Sequence, residues 1–369
     1  MLATVAVWMG AASESPHATV HVPVLVDEVL AYLAPRPGAV IVDATLGEGG
    51  HAEAILRRIA PAGRLVGLDR DGEALARAEE RLRRFGQNVT LAQANFGDLD
   101  EALNVLGVGA VDGVLLDVGV STRQLMEAER GFSFDRVGPL DMRMDRGESR
   151  TAADLVNTLP ERELADLIYR YGEERASRKI ARQIVARRPL RTTRDLARAV
   201  EAALGSSRGR LHPATRTFQA LRIATNREIE SLERALPQAV RRLRPGGRLC
   251  VIAFHSIEDR VVKTTLARFA RGCTCPPGLP ECRCGGERLV RILTKKPVTA
   301  STAEVARNPR ARSAHLRAAE RLLDSNASGP RAGRPAVRSA TGHHEIGAAG
   351  NHEINAGVGR HGRRSDVAC

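Results

Sequence analysis

The sequence predicts an α/β fold: a doubly wound, Rossmann-like parallel sheet into which an all-helical domain is inserted. Three observations carry that expectation. From about residue 40, short continuous apolar runs alternate with amphipathic stretches, the pattern of parallel strands covered by helices on both faces. Between Val118 and Asn226 the alternation gives way to helical periodicity without strand signals, over a length no loop in a compact domain reaches. The α/β pattern then resumes, and 369 residues leave room for both parts and a sizeable core.

The elements follow in order. "AVIVDA" (39–44) is a buried strand that ends in a glycine loop, and "HAEAILRRIA" (51–60) is the helix after it. "GRLVGLD" (63–69) is a second strand, and "GEALARAEERLRRF" (72–85) a second helix with Leu75, Ala78 and Leu82 on one side. "VTLAQANF" and "VDGVLLDVG" are the third and fourth strands. In the insert, "ERELADLIYRYG" places Leu164, Leu167, Ile168 and Tyr171 on one helical face, and Thr192 with Asp195 forms a capping box. "LERALPQAVRRLRPGGRLCVIAFHS" reads as a helix, a Pro-Gly-Gly stop and a fifth strand. "RLVRILT" and "SAHLRAAER" close the sheet as further strands. The expected division is a flexible start (1–20), a first sheet segment (21–120), the helical insert (121–226), a second sheet segment (227–322) and a disordered basic tail (323–369).

Arginine supplies most of the +13 formal charge, and the pI is near 10.4. That balance favours a polyanionic partner, nucleic acid first, although arginine-rich coding bias yields the same composition. Aromatics at 3% argue against a surface built of base-stacking platforms. No apolar run approaches a membrane span, and the apolar opening lacks the basic start of a signal peptide, so a cytoplasmic chain is expected.

The loop Gly47-Glu48-Gly49-Gly50-His51 ends the first strand, where missing side chains let a ligand lie against backbone. Asp69 ends the second strand, the place from which an acid accepts ribose hydroxyls. The two together indicate an adenosine-type cofactor. The spacing is not G-x-G-x-x-G, and Glu48 would repel a pyrophosphate. Asp43, Glu48, Asp69 and Asp117 are expected around one pocket, which suits the sulfonium of S-adenosylmethionine better than NAD. His51 reads equally as a helix cap or as a cofactor contact.

"HVPVLVDEVL", "DATLGEGGH", "LLDVGVSTRQLMEAERGFSF", "GPLDMRMD", "RTFQALRIATNREIESLERAL", "PGGRLCVIAFHSIEDRVVK" and "NPRARSAHLRAAER" follow in one order. Over residues 21 to 321 the chain resembles the bacterial small-subunit ribosomal RNA cytosine-N4 methyltransferases, the MraW family. The resemblance implies a class I S-adenosylmethionine-dependent methyltransferase sheet with a helical insert. It implies cofactor contacts from Gly49, Gly50, His51, Asp69, Phe96, Asp117 and Gln124. The implied substrate is a decoding-centre cytidine of 16S rRNA within the small ribosomal subunit, methylated on its exocyclic nitrogen.

Amino-methyltransferases commonly carry an acid or amide, two prolines and an aromatic after the fourth strand; here "DVGVS" stands instead. Candidates to accept a hydrogen bond from the amine are therefore Asp117 and Ser121. His255 and Ser256 past the fifth strand, and Asp141, Arg143 and Asp145, are further candidates. His255 reads equally as a structural residue bonding a loop carbonyl. "YRYGEERASRKIARQIVARRPLRTTR" (169–194) supplies helical arginines for phosphate contacts, or else a solvated face. Cys273, Cys275, Cys282 and Cys284 form two C-x-C pairs that a structural zinc would suit; nothing in the chemistry needs a metal. Three other functions share these features: a DNA amino-methyltransferase, an NAD-dependent oxidoreductase, and a non-catalytic RNA-binding assembly factor that keeps the cofactor fold. Oligomeric state is not legible.

Overall fold

A computed structural model describes residues 6–7, 23–205, 212–272, 275 and 286–323. Its centre is one sheet of nine strands. They are β1 (Ala6–Val7), β2 (Val40–Asp43), β3 (Arg64–Asp69), β4 (Val89–Gln93), β5 (Val111–Asp117), β6 (Leu243–Ala253), β7 (Val290–Ile292), β8 (Val298–Thr299) and β9 (His315–Arg321). The strand order is β1-β4-β3-β2-β5-β6-β9-β7, with β8 also on β9. β4, β3, β2, β5 and β6 run parallel, and β9 turns back antiparallel against β6. The order reverses between β2 and β5, the switch point of a Rossmann-like sheet, as the sequence predicts.

Both faces are covered because the middle strands are apolar on both sides. One face packs Val42, Val66, Val114 and Leu249 against the helices Leu99–Val105, Glu228–Arg242 and Ser256–Arg271. The other packs Ile41, Leu65 and Leu115 against the helices Val26–Leu33, Gly50–Ile59 and Gly72–Leu82. The helix expected over 72–85 ends at Leu82 and tightens into a 3₁₀ segment that kinks at Gly86 (φ 53°). The strand expected through Phe96 ends at Gln93, because Asn95 accepts from Gly97 N and turns the chain. The Pro-Gly-Gly stop becomes a bulge inside β6, between the pairs Val111–Leu243 and Gly113–Arg248. Ala6–Val7 pairs antiparallel with β4, an element the sequence reading leaves out; the rest of residues 1–20 and the tail from 324 lie outside the described residues.

The described residues between 132 and 221 pack around an apolar core of their own, which includes Leu140, Leu155, Leu164, Ile168, Ile180, Leu196 and Phe218. Leu167 and Tyr171, expected beside Leu164 and Ile168, are only partly covered. The capping box of Thr192 and Asp195 is present. The helix Thr215–Asn226 contributes to this core and the next helix, Glu228–Arg242, to the sheet; left-handed Arg227 (φ 49°) breaks the two apart.

Polar clasps fasten this layer to the sheet. Asp71 caps the helix Gly72–Leu82 and also accepts from Gln124 Nε2 and from Arg130, each at 2.8 Å. Arg130 is 2% exposed and donates on to the Met144 carbonyl at 2.9 Å. Asn226 donates to the Met142 carbonyl (2.7 Å) and accepts from Met144 N (2.8 Å), while its own carbonyl accepts from Arg70 (2.7 Å). Among the described residues, no helix is long and apolar enough to cross a membrane.

Removing Arg130 strands the Asp71 carboxylate in a buried site. Arg130→Met is expected to lower the unfolding free energy by about 3–5 kcal/mol, read by urea titration; an unchanged midpoint would show that the clasp is not what joins the layers.

Candidate active site

A cleft enclosing about 1080 Å³, its mouth included, opens at the carboxyl ends of the strands beside the switch point. Gly47, Glu48, Gly50 and His51 line it from the glycine loop, Asp69 from the end of β3 and Phe96 from the turn after β4. Asp117 through Gln124 line it after β5; Met144, Phe254, Asn308 and Arg310 complete it.

The loop keeps its shape for local reasons. Gly47 and Gly49 adopt φ of 52° and 77°, a region that costs side-chain-bearing residues 1–2 kcal/mol or so, roughly. Gly50 lies against Pro23, where an added Cβ would come within 3.0 Å. Asp69 clasps the loop: Oδ2 accepts from Gly47 N at 2.7 Å and Oδ1 from Asp71 N at 2.9 Å. Burial pushes the Asp69 carboxyl up to about 6, against those two hydrogen bonds. Sequence reasoning assigned Asp69 to a ribose and did not foresee this second duty. Phe96 is half-buried, and its apolar surface forms one wall of the cleft.

Beneath the loop lies an acid–imidazole–acid cluster. His51 is 6% exposed, and its Nε2 stands 3.5 Å from Asp117 Oδ2. Neither ring nitrogen has a hydrogen-bond partner, nor does Asp117 Oδ1 or Asp43 Oδ2, although all are buried. Burial pulls the His51 pKa down, but Asp117 and then Asp43 outweigh it and leave the pKa raised. Burial drives Asp43 up to about 7, opposed by His51. Asp43 accepts from Thr45 N at 3.2 Å and lies under the cleft, not among its lining residues. Thr45 Oγ1 in turn accepts from Asp117 N at 2.5 Å, locking the ends of β2 and β5 together.

The acidic pocket expected from sequence is accordingly corrected in its charge. Glu48 is paired with Arg123 at 2.9 Å and Arg77 at 3.4 Å, so it does not present a bare negative charge to a ligand. Ser121 lines the cleft and caps the helix Thr122–Met126. Gln124 also lines it, but its amide oxygen accepts from Ser121 N (2.9 Å) and its nitrogen donates to Asp71. Gly49 is the helix N-cap and packs against Leu82 rather than lining the cleft.

The structure does not bring His255 to the cleft. Its Nδ1 caps the helix Ser256–Arg271 by accepting from Glu258 N, and its Nε2 stands 3.0 Å from Glu258 Oε1. Ser256 donates to Glu173 instead. Asp141 and Arg143 pair with each other, and Asp145 accepts from Gly147 N, so these three shape the loop that presents Met144. Arg70, Arg130, Asn226 and Arg310 were missed, because their roles rest on partners or neighbours far along the chain. Of the cysteine cluster only Cys275 falls among the described residues; Cys273, Cys282 and Cys284, and with them the zinc expectation, lie outside them.

On the insert, Arg175, Arg178, Lys179, Arg182, Arg187, Arg191 and Arg194 are exposed on or beside the helices Ser177–Ala186 and Thr193–Leu204. Arg188 is not: it holds the carbonyls of Val156 and Leu159.

Residues 18–322 match the model of the MraW methylase family. The ribosomal RNA small subunit methyltransferase H of Geotalea uraniireducens is 55% identical over 307 residues, 82% of this chain and 98% of that protein. The protein of that name from Geobacter sulfurreducens is 56% identical over 307 residues, covering 82% and 99%. That from Symbiobacterium thermophilum is 54% identical, covering 82% and 96%.

The raised Asp43 pKa has a consequence for stability. The folded chain keeps a proton there that the unfolded chain releases, so the associated stability is full below 3.8 and is lost as pH rises to about 7. Asp43→Asn is expected to be more stable than the wild type above that range, the gap closing as pH falls. Urea titrations across the interval measure it, and a gap that does not vary with pH would refute it.

Proposed function

The chain belongs to the MraW methylase family, and from that premise we propose that it is an S-adenosylmethionine-dependent ribosomal RNA methyltransferase. Its acceptor is the exocyclic N4 of a decoding-centre cytidine in 16S rRNA, reached within the small ribosomal subunit in the cytoplasm. The observation that carries the assignment is Asp117 Oδ1, a carboxylate oxygen at the switch point, in a residue that lines the cleft, with no partner of its own.

The cleft suits the cofactor on its own terms. The glycine loop leaves backbone open to it, Phe96 offers an apolar wall for adenine, and Asp69 retains lone pairs for ribose hydroxyls beyond the two it has committed. His51, Gly49 and Gln124 shape that seat from beneath and beside it. Bound there, S-adenosylmethionine supplies a methyl group made electrophilic by its sulfonium.

The cytosine amine is a weak nucleophile because its lone pair is delocalised into the ring. The Asp117 carboxylate accepts one N–H of the amine and thereby turns the lone pair out of conjugation; fixed position supplies much of the remaining acceleration. The same carboxylate, or water, takes the proton that the amine sheds. His51 beside Asp117 steadies its charge. Ser121 is the lesser candidate, since its Oγ already accepts from Gln124 N. No aromatic follows Asp117 to stack the base; Phe254 and Met144 are among the apolar groups of the lining that can contact it. The exposed arginines of the insert bind phosphates without reading sequence, and target choice follows from subunit shape and extrusion of one cytidine.

Labelled methyl supplied as S-adenosylmethionine should appear as N4-methylcytidine on small subunits that lack the modification, and not on duplex DNA. Label on DNA alone, or none with cofactor bound, would overturn the assignment. Asp117→Ala should bind S-adenosylhomocysteine yet turn over about a hundredfold more slowly or worse; full-rate methylation would remove Asp117 from the chemistry.

A further inference from the structure

Three arginines line the cleft, and two of them are already engaged. Arg70 donates to the Asn226 carbonyl at 2.7 Å and stands 3.6 Å from Glu148. Arg123 is held by Glu48 at 2.9 Å and Glu127 at 3.3 Å. The guanidinium of Arg310 has no ion pair and no hydrogen bond among the described residues; only its backbone N–H is used, donating to Asn308 Oδ1. It is half-buried, and burial, with no opposing charge, pulls its pKa below the usual value. A cation withdrawn from water without a counter-charge is costly unless a ligand brings one.

Its place in the fold says which end of the cleft it serves. Arg310 sits in the turn Pro309–Ser313, just before β9. The preceding helix, Thr302–Arg307, is tied to the start of the chain by Leu25 N donating to Glu304 Oε1 at 2.7 Å. Two residues before Leu25, Pro23 rests on Gly50 at the start of the helix Gly50–Ile59, whose N-cap offers no side chain. Arg310 therefore belongs to the wall formed by Pro23, Val24, Gly50 and His51, while Asp69 and Phe96 mark the adenosine end.

We propose that Arg310 is the receptor for the α-carboxylate of the cofactor's methionine portion, a planar two-oxygen anion that a guanidinium fork matches with two hydrogen bonds. The assignment rests on S-adenosylmethionine being the cofactor, and nothing in the catalytic step requires it.

Calorimetry with the full chain tests it, using S-adenosylhomocysteine and 5′-methylthioadenosine, which lacks the amino-acid portion. Arg310→Gln is expected to weaken S-adenosylhomocysteine by about ten- to a hundredfold and leave 5′-methylthioadenosine unchanged. Arg310→Lys should recover part of the loss. Retained 5′-methylthioadenosine binding also certifies that the variant is folded. Equal losses for both ligands, or none for either, overturn the role of Arg310. Unchanged S-adenosylhomocysteine affinity with impaired subunit methylation overturns it in favour of a substrate phosphate. A wild-type chain that binds neither ligand overturns the cofactor assignment itself.

Discussion

Asp71, 4% exposed, holds three parts of the molecule through one carboxylate: it caps the helix after β3, accepts the Gln124 amide that orders the chain after β5, and receives the buried Arg130. Arg130 passes the connection to the Met144 carbonyl, and Asn226 fixes Met144 from the other side. The cleft walls contributed by the helical layer are thus set by hydrogen bonds with fixed directions, whereas apolar packing alone would let the layers slide. The amide oxygens of Gln124 and Asn226 each accept a backbone N–H and their nitrogens each donate, while Arg130 Nε is left without a partner. Gln124 thereby acts on the cleft mainly through the shape of the segment Asp117–Gln124.

The floor of the cleft leaves more of its polar atoms unmatched. Asp43 and His51 are buried and Asp117 partly so, each with a polar atom left unmatched, a condition native proteins confine to a few places. His51 stands among the acids: Asp117 and then Asp43 raise its pKa against burial, while burial raises Asp43 to about 7. Glu48, by contrast, is neutralised at the rim by two arginines.

Much of the fold was legible because parallel strands and amphipathic helices write their periodicities directly into sequence: β2 to β6, the covering helices and the Thr192 cap all follow from local pattern. That the glycine loop and Asp69 meet in one cleft was legible because strand, turn, helix and acid come in a fixed order. What stayed hidden depends on distant partners. Nothing near Glu48 announces Arg123, 75 positions away. Nothing near His255 distinguishes a catalytic imidazole from one that caps the next helix; geometry decides between them. Arg130 and Asn226 read as ordinary polar residues until the fold buries them. The resemblance between motifs located the family but not these supporting roles.

The cleft is walled by Pro23 near one end of the described chain and Arg310 near the other, and β9 inserts between β6 and β7. During synthesis the cofactor seat therefore stays open on one side until the last strand has left the exit tunnel. The seat closes only when β9 pairs with β6, so closure is a late step of folding.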